Sequence, residues 1–135
     1  MVNSTCIESS QKHFILAIII TGGCPGCTFS FDRSVELLRE NGSYWCSLPD
    51  MTDDRFRHTQ SGLITCGGLY TGKTCLSFTD GQWITSHQLQ YDRNDHSSWM
   101  SQHGVVLMGG EYSRNATELL TDGGSTPAFT LEYPT

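Results

Sequence analysis

An internal repeat constrains this chain more than any other feature of its sequence. Three apolar segments each end in a pair of glycines, and the pairs follow one another at spacings of 45 and 42 residues. The segments are residues 18–23 (IIITGG), 63–68 (LITCGG) and 105–110 (VVLMGG). The glycines are Gly22, Gly23, Gly67, Gly68, Gly109 and Gly110. A regular spacing of this size indicates a protein built from copies of one small unit.

The same succession of shorter signals follows each glycine pair. A second strand-like segment comes first, at residues 35–38, 75–78 and 117–120. A tight-turn dipeptide comes next, Asn41-Gly42, Asp80-Gly81 and Asp122-Gly123, and such pairs suit two-residue hairpin loops. An aromatic residue then follows, Trp45, Trp83 and Phe129. We expect these aromatic rings to fill the wedge between neighbouring units, where burial of apolar area stabilises the stack.

An Arg-x-x-His motif precedes the second and third apolar segments. Its residues are Arg55 and His58, and Arg93 and His96. Because a residue that recurs at one repeat position usually serves the repeat, we expect these side chains to pack between units rather than to carry chemistry. Four short strands in a unit of about 45 residues are typical of one blade of a β-propeller. The predicted organisation is an N-terminal segment (1–13), a partial first blade (14–50), a second blade (51–92) and a third blade (93–135).

The order of Gly-Gly, strand, Trp and Arg-x-x-His resembles the kelch repeat, most clearly over residues 35–68. The resemblance covers about residues 14–133 and is nearest to extracellular kelch-type proteins of aquatic invertebrates. It implies an all-β, kelch-type β-propeller, of which this chain supplies about three four-stranded antiparallel blades of an incomplete ring. It also implies a non-catalytic module that binds a protein partner. The alternative is a fragment of a galactose-oxidase-like propeller enzyme, although the copper site of that enzyme cannot be traced residue by residue here.

The length of 135 residues adds a second constraint. Divided by the repeat, it corresponds to about three units, whereas a propeller ring needs about four to eight blades. Each blade packs its two faces on its neighbours, so three blades leave two apolar faces open. We therefore expect either further blades in a larger protein or self-association that completes the ring.

Composition excludes several classes of partner. Acidic residues outnumber basic ones 14 to 8, the net charge is −6, and no basic block occurs, which disfavours binding to nucleic acid or to anionic membrane surfaces. No apolar run approaches the ~18 residues that a membrane-spanning helix requires. The 15 serines, 15 threonines and 14 glycines favour strands and turns over helices.

The six cysteines and three glycosylation sequons indicate an oxidising compartment. Cys66 and Cys75 flank the second glycine loop, at the end of one predicted strand and the start of its neighbour, and we expect a disulfide between them. The sequons begin at Asn3, Asn41 and Asn115. We predict an extracellular or cell-surface location, with a cytoplasmic one as the alternative. The apolar run 14–20 follows Lys12 and fits either a signal-peptide core or a strand of the first blade.

Two short motifs suggest chemistry that their surroundings do not support. Residues 67–74 (GGLYTGKT) match the phosphate-binding loop pattern, which requires a helix directly after it, but a hairpin turn follows after only a few residues. Cys24-x-x-Cys27 contains Pro25 and Gly26, so it lies in a loop and lacks both the helix N-terminus of a redox site and a second pair for zinc. We therefore predict no cofactor and no metal.

Two tyrosines are the candidate partner contacts. Tyr70 and Tyr112 each lie two residues after a glycine pair. Equivalent positions of a repeat project from the same edge, loops at such edges carry recognition, and tyrosine is enriched in interfaces. The sequence therefore predicts a binding edge that presents both rings.

Overall fold

The computed structural model describes residues 18–27, 30–38 and 45–130 of the chain. These residues form three antiparallel sheets of three, four and four strands. The helical content of this part of the chain is a single short 3₁₀ turn, Pro25–Cys27. The predicted all-β class is confirmed.

Each sheet is a meander in which every strand pairs with the next one along the chain. Sheet 1 consists of β1 (Ile18–Gly23), β2 (Asp32–Leu38) and β3 (Trp45–Leu48). Sheet 2 consists of β4 (Thr59–Ser61), β5 (Ile64–Cys66), β6 (Thr74–Thr79) and β7 (Gln82–Gln88). Sheet 3 consists of β8 (Ser97–Ser101), β9 (Gly104–Met108), β10 (Ala116–Thr121) and β11 (Gly124–Thr130). Each sheet lies within one of the three predicted units.

The three sheets share one pairing register. The residue just before each glycine pair lies opposite the first residue of the second segment, and these pairs are Thr21 with Val35, Cys66 with Cys75, and Met108 with Thr117. Successive side chains of a strand point to opposite faces, so an equal register places equivalent positions on equivalent faces. Equivalent positions of the sequence repeat therefore face the same way in each sheet, either towards the preceding sheet or towards the following one.

Two apolar cores lie between the sheets. The core between sheets 1 and 2 contains Val35, Leu37, Leu48, Met51, Leu76, Phe78 and Trp83. The core between sheets 2 and 3 contains Cys66, Cys75, Leu89, Val105, Leu107 and Leu120. Sheet 2 thus buries both of its faces, whereas each outer sheet buries one face against a neighbour.

Trp83 fills the space between sheets 1 and 2, as the repeat predicts. Its ring is 3% exposed, lies 5.3 Å from the ring of Phe78, and donates its Nε1–H to the carbonyl of Pro49 at 3.0 Å. Trp45 and Phe129 are 45% and 52% exposed, so neither fills a space between two of the described sheets, and the wedge role stays a prediction for them. Trp45 pairs with Leu38 as Trp83 pairs with Phe78, and it therefore lies on the face of sheet 1 that points away from sheet 2.

The Asp80-Gly81 turn and the start of strand β1 lie where the sequence predicts them. Asp80 and Gly81 have φ of 50° and 79° and join β6 to β7 in the two-residue hairpin that the dipeptide predicts. The apolar run 14–20 reaches β1 at Ile18, while residues 14–17 and the Asn41-Gly42 turn lie outside the described residues. Residues 18–20 of this run pair with β2, so this part of the run is a strand of the first sheet.

Cys66 and Cys75 form a disulfide with a Cα–Cα distance of 4.1 Å, and both are buried. The bond closes the second glycine loop across a sequence separation of 9. Cys46 is also disulfide-bonded. Disulfides persist in oxidising environments, which these bonds therefore favour for this protein.

Replacing Cys66 and Cys75 together by alanine is expected to lower the free energy of unfolding by about 2–3 kcal/mol, because the open loop gives the unfolded chain more conformations. Urea denaturation without reductant measures the difference. The matched control is Lys73→Ala, an exposed change inside the same loop, which we expect to alter the free energy by less than about 0.5 kcal/mol. A double alanine variant as stable as the wild type contradicts the prediction.

Candidate functional site

The Arg-x-x-His motifs form the joints between neighbouring sheets. Arg55 lies between sheets 1 and 2 and is fully buried. Its backbone carbonyl accepts a hydrogen bond from the amide of Gly23 at 2.8 Å, and its Nη1 donates to the carbonyls of Gly67 and Thr74, each at 2.8 Å. One arginine thus ties the glycine turn of sheet 1 to the glycine turn of sheet 2.

Arg93 repeats this arrangement between sheets 2 and 3. Its carbonyl accepts from the amide of Gly68 at 2.8 Å, and its Nη1 donates to the carbonyls of Gly109 at 2.5 Å and Ala116 at 3.0 Å. The acidic partners differ between the two joints. The Nε of Arg93 lies 2.8 Å from Oε1 of Glu118, which is fully buried, whereas the Nε of Arg55 lies 2.8 Å from Oδ1 of the half-exposed Asp53.

The first glycine of the first pair and the first glycine of the second pair are required by this close approach. Gly67 has a φ of 69°, and a Cβ there would lie 2.4 Å from the carbonyl oxygen of Arg93 and 2.6 Å from Cε1 of His96. Gly22 repeats this geometry, with a φ of 58° and a Cβ position 2.4 Å from the carbonyl oxygen of Arg55. Both the backbone conformation and the space exclude a side chain. The first two glycine pairs therefore form turns and also leave room for the backbone of the next joint.

The motif histidines are held neutral inside these joints. Nε2 of His58 lies 2.9 Å from Oγ1 of Thr21, and that hydroxyl donates its one proton to Oε1 of Gln60 at 2.8 Å. His58 must therefore carry its proton on Nε2, which leaves Nδ1 buried and without a hydrogen-bond partner among the described residues. A second proton would have to sit on Nδ1, where nothing described accepts its hydrogen bond.

His96 has the same surroundings. Its Nε2 lies 2.8 Å from Oγ1 of Thr59, and its Nδ1 likewise has no hydrogen-bond partner in the described part of the chain. Burial lowers the pKa of His58 to about 4 and the pKa of His96 to about 4, and the neighbouring charges of Arg55 and Arg93 act in the same direction. This geometry fits the packing role that the repeat predicts for both histidines.

The loops after the second and third glycine pairs present their tyrosines at equivalent positions. The amide of Leu69 donates to the carbonyl of Phe56 at 2.8 Å, and the amide of Glu111 donates to that of Asn94 at 3.1 Å. One residue further along, Tyr70 and Tyr112 are 86% and 69% exposed. The structure therefore places both predicted contact residues in solvent, at the same edge of neighbouring sheets.

Tyr70 belongs to a small aromatic cluster at this edge. Its ring centroid lies 5.9 Å from that of Phe31, which in turn stacks on Phe56 at 5.2 Å with an interplanar angle of 10°. We call these three side chains the aromatic ledge. No sequence signal marks Phe31 and Phe56 as neighbours, because the contact joins a loop of sheet 1 to the joint before sheet 2.

Residues in strained backbone conformations gather around the ledge. Tyr70, Arg57 and Asp95 have φ of 67°, 61° and 52°, in the left-handed region that residues other than glycine seldom adopt. Arg57 and Asp95 occupy equivalent positions in the two Arg-x-x-His motifs, and Nε of Arg57 donates to Oδ1 of Asp95 at 2.9 Å. Each such conformation costs of order 1–3 kcal/mol, and clusters of them are typical of functional edges.

The other motifs carry no site in the described residues. The phosphate-loop match ends at Thr74, which begins strand β6 rather than a helix and whose Oγ1 accepts a hydrogen bond from Nη2 of Arg55 at 2.8 Å. Cys24-x-x-Cys27 lies at a loop with the 3₁₀ turn Pro25–Cys27. Within the described ranges, no group of three or more His, Cys, Asp or Glu side chains is placed to hold a metal ion.

The structure describes one of the three predicted glycosylation sites, and it also bears on the prediction that no helix spans a membrane. Asn115 is exposed in the loop before β10, so a glycan there stays a prediction, and Asn3 and Asn41 lie outside the described residues. In the part of the chain that the structure describes, no helix has the length and apolar character needed to cross a membrane.

A cavity of about 540 Å³ opens on the outer face of sheet 3, the face that points away from sheet 2. Its apolar lining includes Trp99, Val106, Leu119, Ala128 and Phe129. It lies apart from the tyrosine edge.

No protein-family model matches the chain, and no curated protein matches it.

Proposed function

We propose that this chain is a non-catalytic protein-interaction module built as blades of a kelch-type β-propeller, and that its protein partner binds the edge that presents Tyr70 and Tyr112. The single observation that carries the proposal is the gathering of exposed aromatic side chains and strained non-glycine residues at this edge. Tyr70 is 86% exposed at a φ of 67°, so its ring gains little from packing while its backbone adopts an unfavourable conformation. A contact with a partner supplies the benefit that the isolated chain lacks.

The use of the repeated polar residues supports a binding role over a catalytic one. Arg55 and Arg93 are fully buried, and each donates hydrogen bonds to backbone carbonyls at a glycine turn and to one neighbouring carboxylate. His58 and His96 are neutral and enclosed, with their pKa values held near 4 by burial. None of these four side chains is therefore available to a substrate at neutral pH.

Three meanders in a common register, joined by equivalent arginines, support the propeller assignment. The disulfide Cys66–Cys75 supports a secreted or cell-surface location, since such bonds are rare in a reducing cytosol. On this proposal the sheets are consecutive blades of a larger ring, and Tyr70 and Tyr112 occupy one rim of it. The oxidase-like alternative stays a prediction from the resemblance.

Tyr70→Gly is expected to separate binding from stability. Glycine accepts a φ of 67° without strain, so we expect the free energy of unfolding to rise by about 1 kcal/mol. The same substitution removes the ring of the ledge that is 86% exposed, so we expect the affinity for the partner to fall at least tenfold, by about 1.4 kcal/mol or more. Urea denaturation measures the first effect, and calorimetric titration with the purified partner measures the second.

The partner is to be found by capture from an extracellular protein extract on immobilised wild-type chain. It is the protein that is lost from both a Tyr70→Gly and a Tyr112→Ala bait but retained on a Tyr91→Ala bait, in which the changed tyrosine is also exposed. Retention of every captured protein on the Tyr70→Gly and Tyr112→Ala baits contradicts the proposal. Turnover of a sugar alcohol by the purified chain would replace it with the enzyme alternative.

A further inference from the structure

Each outer sheet has one face that no other described sheet covers. On sheet 1, the pairings of Ile18 with Leu38 and of Leu38 with Trp45 place these three residues on one face, and Ile20 lies on it too. We call this the leading face, and its apolar side chains Ile18, Ile20 and Trp45 are all exposed. On sheet 3, Trp99, Val106, Leu119 and Phe129 line the cavity described above, and we call this the trailing face.

The leading face is equivalent to a face that is already buried inside the chain. Trp45 lies opposite Leu38 as Trp83 lies opposite Phe78. Trp83 and Phe78 belong to the core that joins sheet 2 to the sheet before it. By the same register, Trp45 is placed to join sheet 1 to a sheet that would precede it.

The trailing face is equivalent to the surface that receives Trp83. Val106 pairs with Leu119 on sheet 3 as Ile19 pairs with Leu37 on sheet 1. Leu37 and the partly buried Ile19 lie in the core against which Trp83 packs. The cavity of about 540 Å³ on sheet 3 thus occupies the place that a tryptophan of the following sheet fills between sheets 1 and 2.

We infer that a second copy of this chain docks head to tail, with the leading face of each copy on the trailing face of the other and Trp45 in the cavity lined by Trp99, Val106, Leu119 and Phe129. Both complementary surfaces are present in one molecule, and the two internal interfaces of the chain provide the geometry for the new one. The described sheets of two copies number six, which is within the range of about four to eight of closed propellers. A head-to-tail contact that closes on itself leaves no apolar face open. The inference rests on the propeller assignment of the proposed function, but it uses neither the aromatic ledge nor Tyr112, so ring closure and partner binding can fail separately.

The experiment measures the mass of the full 135-residue chain by light scattering after size exclusion and by analytical ultracentrifugation, from low to high micromolar concentration. We expect a dimer. Trp45→Lys and Phe129→Asp each alter one of the two faces, and each alone is expected to raise the dissociation constant more than tenfold. An equimolar mixture of the two variants is expected to restore the dimer, because one interface is then wild type and the other pairs the new lysine with the new aspartate.

The matched control is Ile84→Lys on the outermost strand of sheet 2. Ile84 is 42% exposed, close to the 45% of Trp45, but its sheet is covered on both faces. We expect this variant to remain dimeric, as we expect of Tyr70→Gly. Circular dichroism verifies that each variant is folded, and Trp45→Ser or Phe129→Ser replaces a variant that is not, with the same criteria.

Several results overturn the inference. A wild-type chain that stays monomeric across the concentration range does so, and so does an assembly larger than a dimer. A dimer that Trp45→Lys disrupts but Phe129→Asp leaves intact indicates contact between two leading faces instead. Failure of the mixed variants to form a dimer also overturns the inference, since head-to-tail docking predicts that the two variants complement each other.

Discussion

Replacing Arg93 by methionine is expected to lower the free energy of unfolding by about 3–5 kcal/mol, which is the range for breaking a buried ion pair. The substitution leaves the carboxylate of Glu118 without its positive partner in a fully buried position. It also removes the donor that the carbonyls of Gly109 and Ala116 share. The amides of Gln90 and Tyr91 still donate to Glu118, but they bring no charge to balance it. Urea denaturation followed by tryptophan fluorescence measures the loss.

Two further variants show whether the buried charge is the cause. Arg93→Met combined with Glu118→Gln is expected to recover part of the loss, since the uncompensated carboxylate is then absent. Arg57→Met removes the exposed ion pair with Asp95 and is expected to change the free energy by less than about 1 kcal/mol. An Arg93→Met variant that loses no more than Arg57→Met would show that the joint between sheets 2 and 3 does not depend on this arginine.

Acidification is expected to unfold the protein through His58 and His96. Both side chains have a folded-state pKa of about 4, below the ordinary value of 6.5 that applies to the unfolded chain. Above pH 6.5 the two states bind equal numbers of protons at these groups, so this contribution to stability is complete. Between pH 6.5 and pH 4 the unfolded chain takes up protons that the folded chain excludes, and stability falls. Since one pKa unit corresponds to 1.36 kcal/mol, the loss is about 3 kcal/mol for each histidine.

The free energy of unfolding at pH 7, 5.5 and 4.5 tests this expectation. His96→Gln keeps a donor for the hydroxyl of Thr59 but cannot titrate, so about half of the decrease between pH 6.5 and 4 should disappear. The comparison variant is His103→Gln, an exposed change that is expected to leave the decrease as it is in the wild type. A free energy that is constant or rises as the pH falls over this interval contradicts the assignment.

The repeated part of the fold could be predicted because its signals are local. Apolar segments closed by Gly-Gly mark β1, β5 and β9, and the Asp80-Gly81 dipeptide specifies the hairpin between β6 and β7. The pairing of Cys66 with Cys75 follows from their positions at adjoining ends of two consecutive strands. Strand periodicity and turn geometry involve residues close in sequence, so they can be read without knowing what lies across the molecule.

The candidate edge could be predicted only in part. Tyr70 and Tyr112 stand out because the repeat places them alike, whereas Phe31 and Phe56 meet only after sheets 1 and 2 have packed. The positive φ of Tyr70 is likewise invisible in the sequence, since tyrosine favours other backbone conformations. Contacts between residues far apart in the chain depend on how whole sheets dock, and no local signal carries that information.

Trp45 and Trp83 show which features the sequence determines and which depend on the packing of the sheets. The sequence by itself determined that both tryptophans occupy the same repeat position, because register in a sheet follows from a side-chain period of two. Only the tertiary structure decided that Trp83 is enclosed between two sheets while Trp45 is exposed, because burial depends on whether a neighbouring surface is present. The same distinction separates the two arginine joints: the motif placed Arg55 and Arg93 alike, but packing left Asp53 half exposed and enclosed Glu118 completely.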